Sequence, residues 1–145
     1  METILHNLTE TDAFAASVLA TLAGNKEGAT VLGLKGDLGS GKTAFTKGLA
    51  RALGVTHEVL SPTFVIAKFY PLSRHDAFTR LIHVDLYRLE TPEELNALGW
   101  EALLADPKNL IVVEWPELGG DRFPEGGVLL QFRFIDEVTR GVTRL

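Results

Sequence analysis

The sequence predicts an α/β fold built around one strand, glycine loop and helix unit, and three observations predict it. The apolar run Ala29 to Lys35 leads directly into Gly36–Thr43, GDLGSGKT, and a helical pattern follows with Phe45, Leu49 and Leu53 on one face. Two further apolar runs, Leu81-Ile82-His83-Val84-Asp85 and Leu110-Ile111-Val112-Val113-Glu114, each end in an acid, where the carboxyl ends of parallel strands face a ligand. Val128 to Ile135 and Val138 to Arg144 read as a closing antiparallel hairpin.

Element by element, Phe14, Val18, Leu19 and Leu22 recur at helical spacing from Thr11 to Ala23, with Thr11 as N-cap and Gly24 as the stop. A polar turn, Asn25 to Gly28, precedes the first strand. In the helix after the glycine loop, Ala44 and Gly48 permit close packing and Gly54 ends the element. Thr63 to Tyr70 is aromatic and β-branched and reads as a strand, Pro71 to Thr79 as an exposed loop, and Arg80 to Asp85 as the next strand. Thr91-Pro92-Glu93-Glu94 starts a helix for a physical reason: a threonine cap, a proline where no N–H is needed, and a glutamate at the third helical position. Leu95, Leu98, Ala102 and Leu103 then form its buried face, and Asn109 to Trp115 is an apolar strand.

A length of 145 residues with 46% hydrophobic content fits one domain spanning 1–145. The net charge of −5 argues against broad electrostatic binding of nucleic acid and disfavours a direct tRNA binder, leaving a local basic patch or a route to RNA through a partner. The absence of cysteine rules out a disulfide framework and thiolate metal sites. No apolar run approaches the roughly 20 residues of a spanning helix, and a cytoplasmic protein without membrane contact is expected.

The glycine loop carries the chemistry. It fits G-x-x-x-x-G-K-[ST], with Gly36, Asp37, Leu38, Gly39, Ser40, Gly41, Lys42 and Thr43 as the phosphate cradle and Ala44 opening the helix. Glycines let successive backbone N–H groups curl around phosphate oxygens, and the helix N-terminus adds positive potential. Lys42 then reaches the β and γ phosphates and Thr43 offers its hydroxyl to magnesium, which points to a nucleoside triphosphate, ATP in the first instance. A magnesium-dependent enzyme also needs a strand-end carboxylate for the metal or its waters, and Asp85 and Glu114 both qualify. Either acid alone could simply cap a turn. His83, among apolar neighbours, reads as a packed strand residue rather than a ligand.

Ser61-Pro62-Thr63 occupies the region where related enzymes place a magnesium-sensing threonine, although on its residues alone it reads first as a serine-proline turn that starts a strand. Three functions share these features: an ATPase, a small-molecule kinase, and a nucleotide-gated scaffold whose binding matters more than its turnover. A regulatory GTPase is less apt, because Asn25-Lys26-Glu27 lacks the aspartate of a guanine-reading element and precedes the loop.

Taken together, GDLGSGKT, SPTF at Ser61 to Phe64, HVDLYRLETPEEL at His83 to Leu95 and VEWPE at Val113 to Glu117 closely resemble the TsaE (YjeE) family. That resemblance implies a P-loop ATPase required for N6-threonylcarbamoyladenosine formation in tRNA, acting with the TsaB and TsaD proteins and reaching tRNA only through them. It implies a three-layer fold whose mostly parallel sheet carries flanking antiparallel strands. It further implies that Lys42 and Thr43 serve the phosphates and Mg2+ of ATP or ADP, that Glu114 is the metal-linked acid, and that Asp85 is a second acid needed for hydrolysis. Ser61 and Thr63 become a switch-like loop and Trp115 a neighbour of the metal-linked acid, with core packing as the alternative for Trp115. Arg88 becomes a loop anchor or partner contact, with a surface salt bridge as the alternative, and Thr11 lies where the family's N-terminal segment nears the base. Arg133, Arg140 and Arg144 fall outside the resemblance and read as solvated strand edges, with base or phosphate contact as the other option.

Overall fold

In a computed structural model, residues 1–22, 24, 27–55, 66–73 and 75–145 are described. Seven strands form one sheet in the order β1-β7-β6-β2-β5-β4-β3. They are β1 (Glu2–Leu5), β2 (Thr30–Lys35), β3 (Ala67–Pro71), β4 (Arg80–Asp85), β5 (Asn109–Glu114), β6 (Val128–Phe134) and β7 (Arg140–Arg144). The central four, β6, β2, β5 and β4, are parallel to one another, whereas β3 pairs antiparallel to β4 at one edge and β7 and β1 add antiparallel strands at the other. The expected parallel core with flanking antiparallel strands is what forms.

Alternation along the central strands sorts their side chains onto two faces. Leu32, Leu34, Leu81, Leu110 and Val112 point towards α1 (Leu8–Ala20) and α2 (Lys42–Ala52), burying Ala15, Val18, Phe45 and Leu49 between helix and sheet. Val31, Ile82, Val84, Ile111 and Val113 face the other way, against Leu95 of a 3-10 helix (Pro92–Leu98) and Trp100 and Leu103 of α3 (Trp100–Ala105). These are the three layers. The two helices of the first face approach closely because Gly48 has no side chain: a Cβ there would meet the Asp12 carboxylate and the Ala15 methyl.

Several local expectations are corrected. The first helix begins at Leu8, three residues before Thr11, because Asn7 is extended and its side-chain oxygen accepts the Glu10 N–H at 2.9 Å. Thr11 therefore sits inside the helix, buried, and its hydroxyl donates to the Asn7 carbonyl. The C-terminal end is closed by Thr21 rather than Gly24. β1 went unread, since four residues of an edge strand carry little pattern. At Thr91 the capping box forms as read, but Gly99 adopts φ 77° and breaks the helix into two short pieces. That break resets the helical phase, so Trp100 takes the inward position and Ala102 is exposed. Of the strand expected over Thr63 to Tyr70, residues 63–65 lie outside the described residues and β3 covers the rest from Ala67. The loop expected over Pro71 to Thr79 is corrected at both ends, since Pro71 belongs to β3 and Phe78 is fully buried.

Candidate functional site

The site lies at the carboxyl end of the parallel strands. β2 runs from the core into Gly36, whose φ of 142° favours glycine; a Cβ at that position would press on the Ser40 hydroxyl and the Phe132 carbonyl. The loop then turns through Leu38 and Gly39 into the first turn of α2, where Gly41 is left-handed (φ 106°, ψ 7°). Helix α2 thus starts beneath the loop with free backbone N–H groups and no side-chain cap, the arrangement that suits an anion.

A cleft of about 330 Å3 opens here, lined by Leu38, Gly39, Ser40, Gly41, Lys42, Thr43 and Ala44 from the loop, and by Asp85, Tyr87, Glu114, Trp115 and Arg140 from three other segments. Register explains the meeting. Leu34 pairs with Glu114 and Asp85 pairs with Glu114, so the ends of β2, β5 and β4 lie side by side and both acids project from one face, the face that α2 covers. Gly36 and Asp37 stand behind the cleft rather than in its wall: their carbonyls accept from Lys42 Nζ, that of Asp37 at 3.0 Å.

Lys42 is folded back on the loop and nearly buried, with Nζ also 4.2 Å from the centroid of the Trp115 ring. Burial lowers the pKa of its ammonium below the ordinary lysine value, against the opposing charges of Glu114, Asp85, Glu117 and Asp37. Trp115 holds this place by an unusual backbone. It is left-handed (φ 60°, ψ 50°), which costs about 1–2 kcal/mol for a bulky residue, and its N–H donates to the Leu34 carbonyl at 3.2 Å. The turn lifts the indole out of the strand direction, to lie near Tyr87 at 5.1 Å between ring centroids. Trp115 belongs to the cleft wall and also packs against the core on the Val84 and Val113 face of the sheet.

Glu114 is the most enclosed acid of the site. It is only 3% exposed, with Oε1 3.4 Å from the Thr43 hydroxyl and Oε2 2.5 Å from His83 Nε2. His83 is fully buried, as a packed strand residue should be, yet it is tied to the site by that contact. Asp85 is more open, and its Oδ1 accepts the Tyr87 N–H at 3.0 Å, fixing the turn after β4. Among the described residues no group of three or more His, Cys, Asp or Glu side chains forms a preassembled metal cage. A hydroxyl and one or two carboxylates facing a phosphate loop suit magnesium instead, which binds through few protein oxygens and completes its octahedron with phosphates and water. Thr43 and Glu114 could hold such an ion.

Arg140 reverses the expectation of a solvated strand edge. The β6–β7 hairpin carries it over the loop, where Nε donates to the Gly39 carbonyl at 3.1 Å, Nη1 donates to the Asp136 and Thr139 carbonyls, and the guanidinium stacks on Phe134. Arg133 pairs instead with Glu2, and Arg144 donates to the Thr21 hydroxyl, both away from the cleft. A second, more apolar cleft of about 450 Å3 adjoins the first and shares Gly41, Ala44 and Arg140 with it. Leu5, Leu8, Thr11, Phe132 and Val138 contribute to its wall, which is where Thr11 lies. Arg88 is exposed on the turn after Asp85, outside both clefts and without an ion pair to the described residues. Ser61 and Thr63 lie outside the described residues. The pairing of β7 with β6 selects Arg140 from the three arginines open to base or phosphate contact, whereas Tyr87, within the HVDLYRLETPEEL segment, reaches the cleft wall through the turn after β4.

A glycine loop between a buried parallel strand and a helix, faced by two strand-end acids from neighbouring parallel strands, defines the P-loop class of α/β proteins. Residues 5–142 match the family described as "Threonylcarbamoyl adenosine biosynthesis protein TsaE", and the chain belongs to that family, which acts in the threonylcarbamoyladenosine modification of tRNA. Similar proteins include the TsaE of Rickettsia bellii, 35% identical over 140 residues that cover 96% of this chain and 90% of that one. The TsaE of Bacillus subtilis is 38% identical over 113 residues, 78% of this chain and 67% of its own. The crystal structure of Bacillus subtilis YdiB superposes with a TM-score of 0.74 at 32% identity, covering 99% of this chain and 83% of that one. No helix among the described residues is long and apolar enough to cross a membrane.

Proposed function

We propose that this chain is a single-domain, magnesium-dependent ATPase that drives or resets a TsaB–TsaD complex during threonylcarbamoyladenosine formation, meeting tRNA only through that complex in the cytoplasm. One observation carries the reading: the loop amides, Lys42, Thr43, Asp85 and Glu114 converge on a single cleft although they come from α2, β4 and β5. Family membership supports the pathway, and the adjoining apolar cleft supports a bound base.

In this reading the triphosphate lies along Gly39–Thr43, with the α2 N-terminus facing its negative charge. Lys42 exchanges the Gly36 and Asp37 carbonyls for the β and γ phosphates, whose oxygens take over the two contacts. Thr43 and Glu114 would hold Mg2+, which would supply neutralisation of charge on the phosphates. Asp85, more open and on the adjacent strand, orients water towards the γ-phosphate, yielding ADP and inorganic phosphate. Arg140 closes the wall between the phosphates and the apolar cleft, where the base packs beside Thr11 and Phe132.

Phosphate release should be slow for the purified chain and rise at least about tenfold when a TsaB–TsaD pair is added, a coupling of ordinary size between two binding partners. Hydrolysis that ignores the pair, or transfer of phosphate to a small acceptor in its absence, would overturn this assignment in favour of a kinase or an unrelated NTPase.

A further inference from the structure

The contact between His83 and Glu114 has no place in the phosphate chemistry above, yet it is among the most enclosed polar contacts of the described residues. His83 is fully buried on β4 and Glu114 nearly so on β5, and 2.5 Å separate Nε2 from Oε2. The other ring nitrogen, Nδ1, is buried and has no hydrogen-bond partner among the described residues. An unpaired polar atom in the interior is costly, and an apolar residue would fill a strand position between Leu81 and Asp85 without that cost. A side chain held there against packing preference points to a role for its paired nitrogen.

That role follows from what the carboxylate can do with its two oxygens. With the ring proton on Nε2, the imidazole donates to Oε2 and leaves a lone pair, not an N–H, at the unpartnered Nδ1. Oε2 is then occupied, and Oε1 is the oxygen left facing the Thr43 hydroxyl 3.4 Å away. A free carboxylate could rotate about its last bond and offer either oxygen, or neither, to an ion beside Thr43; the donor from β4 removes that freedom. Parallel pairing of β4 with β5 sets His83 opposite Val112, two residues before Glu114 on the same face, so the sheet itself fixes the reach.

We propose that His83 is a positioning residue that locks the Glu114 carboxylate in the orientation that receives magnesium beside Thr43. It touches neither nucleotide nor metal and acts only through Glu114. The proposal rests on the ATPase reading for its metal, and the experiment separates the two.

Two variants and one spectrum test it. His83→Leu removes the donor and keeps an apolar side chain, whereas His83→Gln keeps an N–H able to reach Glu114. Mn2+ binding to the ADP-loaded protein, followed by electron paramagnetic resonance, should weaken about 10- to 100-fold in His83→Leu, as for other residues that orient a metal ligand, and recover largely in His83→Gln. ADP affinity measured in EDTA should be unchanged in both. In the wild-type protein, long-range 15N correlation spectra should show the His83 proton on Nε2, a readout that stands even if His83→Leu fails to fold. Wild-type metal affinity in His83→Leu, an equal loss of metal and metal-free ADP binding in both variants, or a proton on Nδ1 would each overturn the proposal. Failure of the wild-type protein to bind Mn2+ with ADP would overturn the magnesium site as well, whereas the first three outcomes leave that site standing.

Discussion

Replacing Lys42 by alanine should lower ATP hydrolysis by about 10²–10³-fold, the usual consequence of deleting one charged group aimed at the charge that develops during phosphoryl transfer. The buried position of Lys42 strengthens the expectation. Its ammonium is held by the Gly36 and Asp37 carbonyls and by the Trp115 ring, so it waits at the loop with little freedom and already stripped of most of its water. Burial favours the neutral amine and the acids around it oppose that, so an arriving polyphosphate adds negative charge that further favours the ammonium. The variant should still fold, because two carbonyls losing a donor cost about 1 kcal/mol each when water can replace it. Steady-state phosphate release, alongside thermal unfolding of the same preparations, checks this. Hydrolysis within a few-fold of wild type would remove Lys42 from the phosphate site.

Exchanging the two strand-end acids separately should split their roles. Glu114→Gln should lose magnesium-dependent tightening of nucleotide and, with it, hydrolysis, because Glu114 is the buried acid beside Thr43. Asp85→Asn preserves the acceptor for the Tyr87 N–H and should keep magnesium and nucleotide, while hydrolysis falls by about 10²–10⁴-fold, the range for loss of a group that orients or deprotonates the nucleophile. Comparing nucleotide affinity with and without magnesium against turnover for the two variants gives the result. If both lost magnesium equally, the division between a metal acid and a water acid would be wrong. If Asp85→Asn hydrolysed ATP at the wild-type rate, Asp85 would be a turn cap only.

The centre of this site is legible in the sequence because its determinants are local. A strand, a glycine loop and a helix follow one another without a break, and the two apolar runs ending in Asp85 and Glu114 correspond to β4 and β5 as folded. What escaped is set by contacts far apart in the chain. Arg140, open in the sequence between a solvated edge and a base or phosphate contact, is decided only when β7 pairs with β6 and β6 with β2. His83 looks like any packed strand residue until β4 and β5 are in register, when its ring meets the Glu114 carboxylate. Trp115 follows an apolar strand and invites reading as core, but its left-handed backbone turns the indole over Lys42. Local competition explains the remainder: Asn7 outcompetes Thr11 as the cap, and a left-handed Gly99 interrupts a helical pattern that looks continuous.

Calorimetric titration of the purified chain with ATP, in magnesium and again in EDTA, bears most directly on the claim that Gly36–Thr43 and the two acids form one triphosphate site. The expected result is one nucleotide per chain, bound more tightly with magnesium and lost in Lys42→Ala. Absence of ATP binding, or binding that neither magnesium nor Lys42→Ala alters, would contradict it.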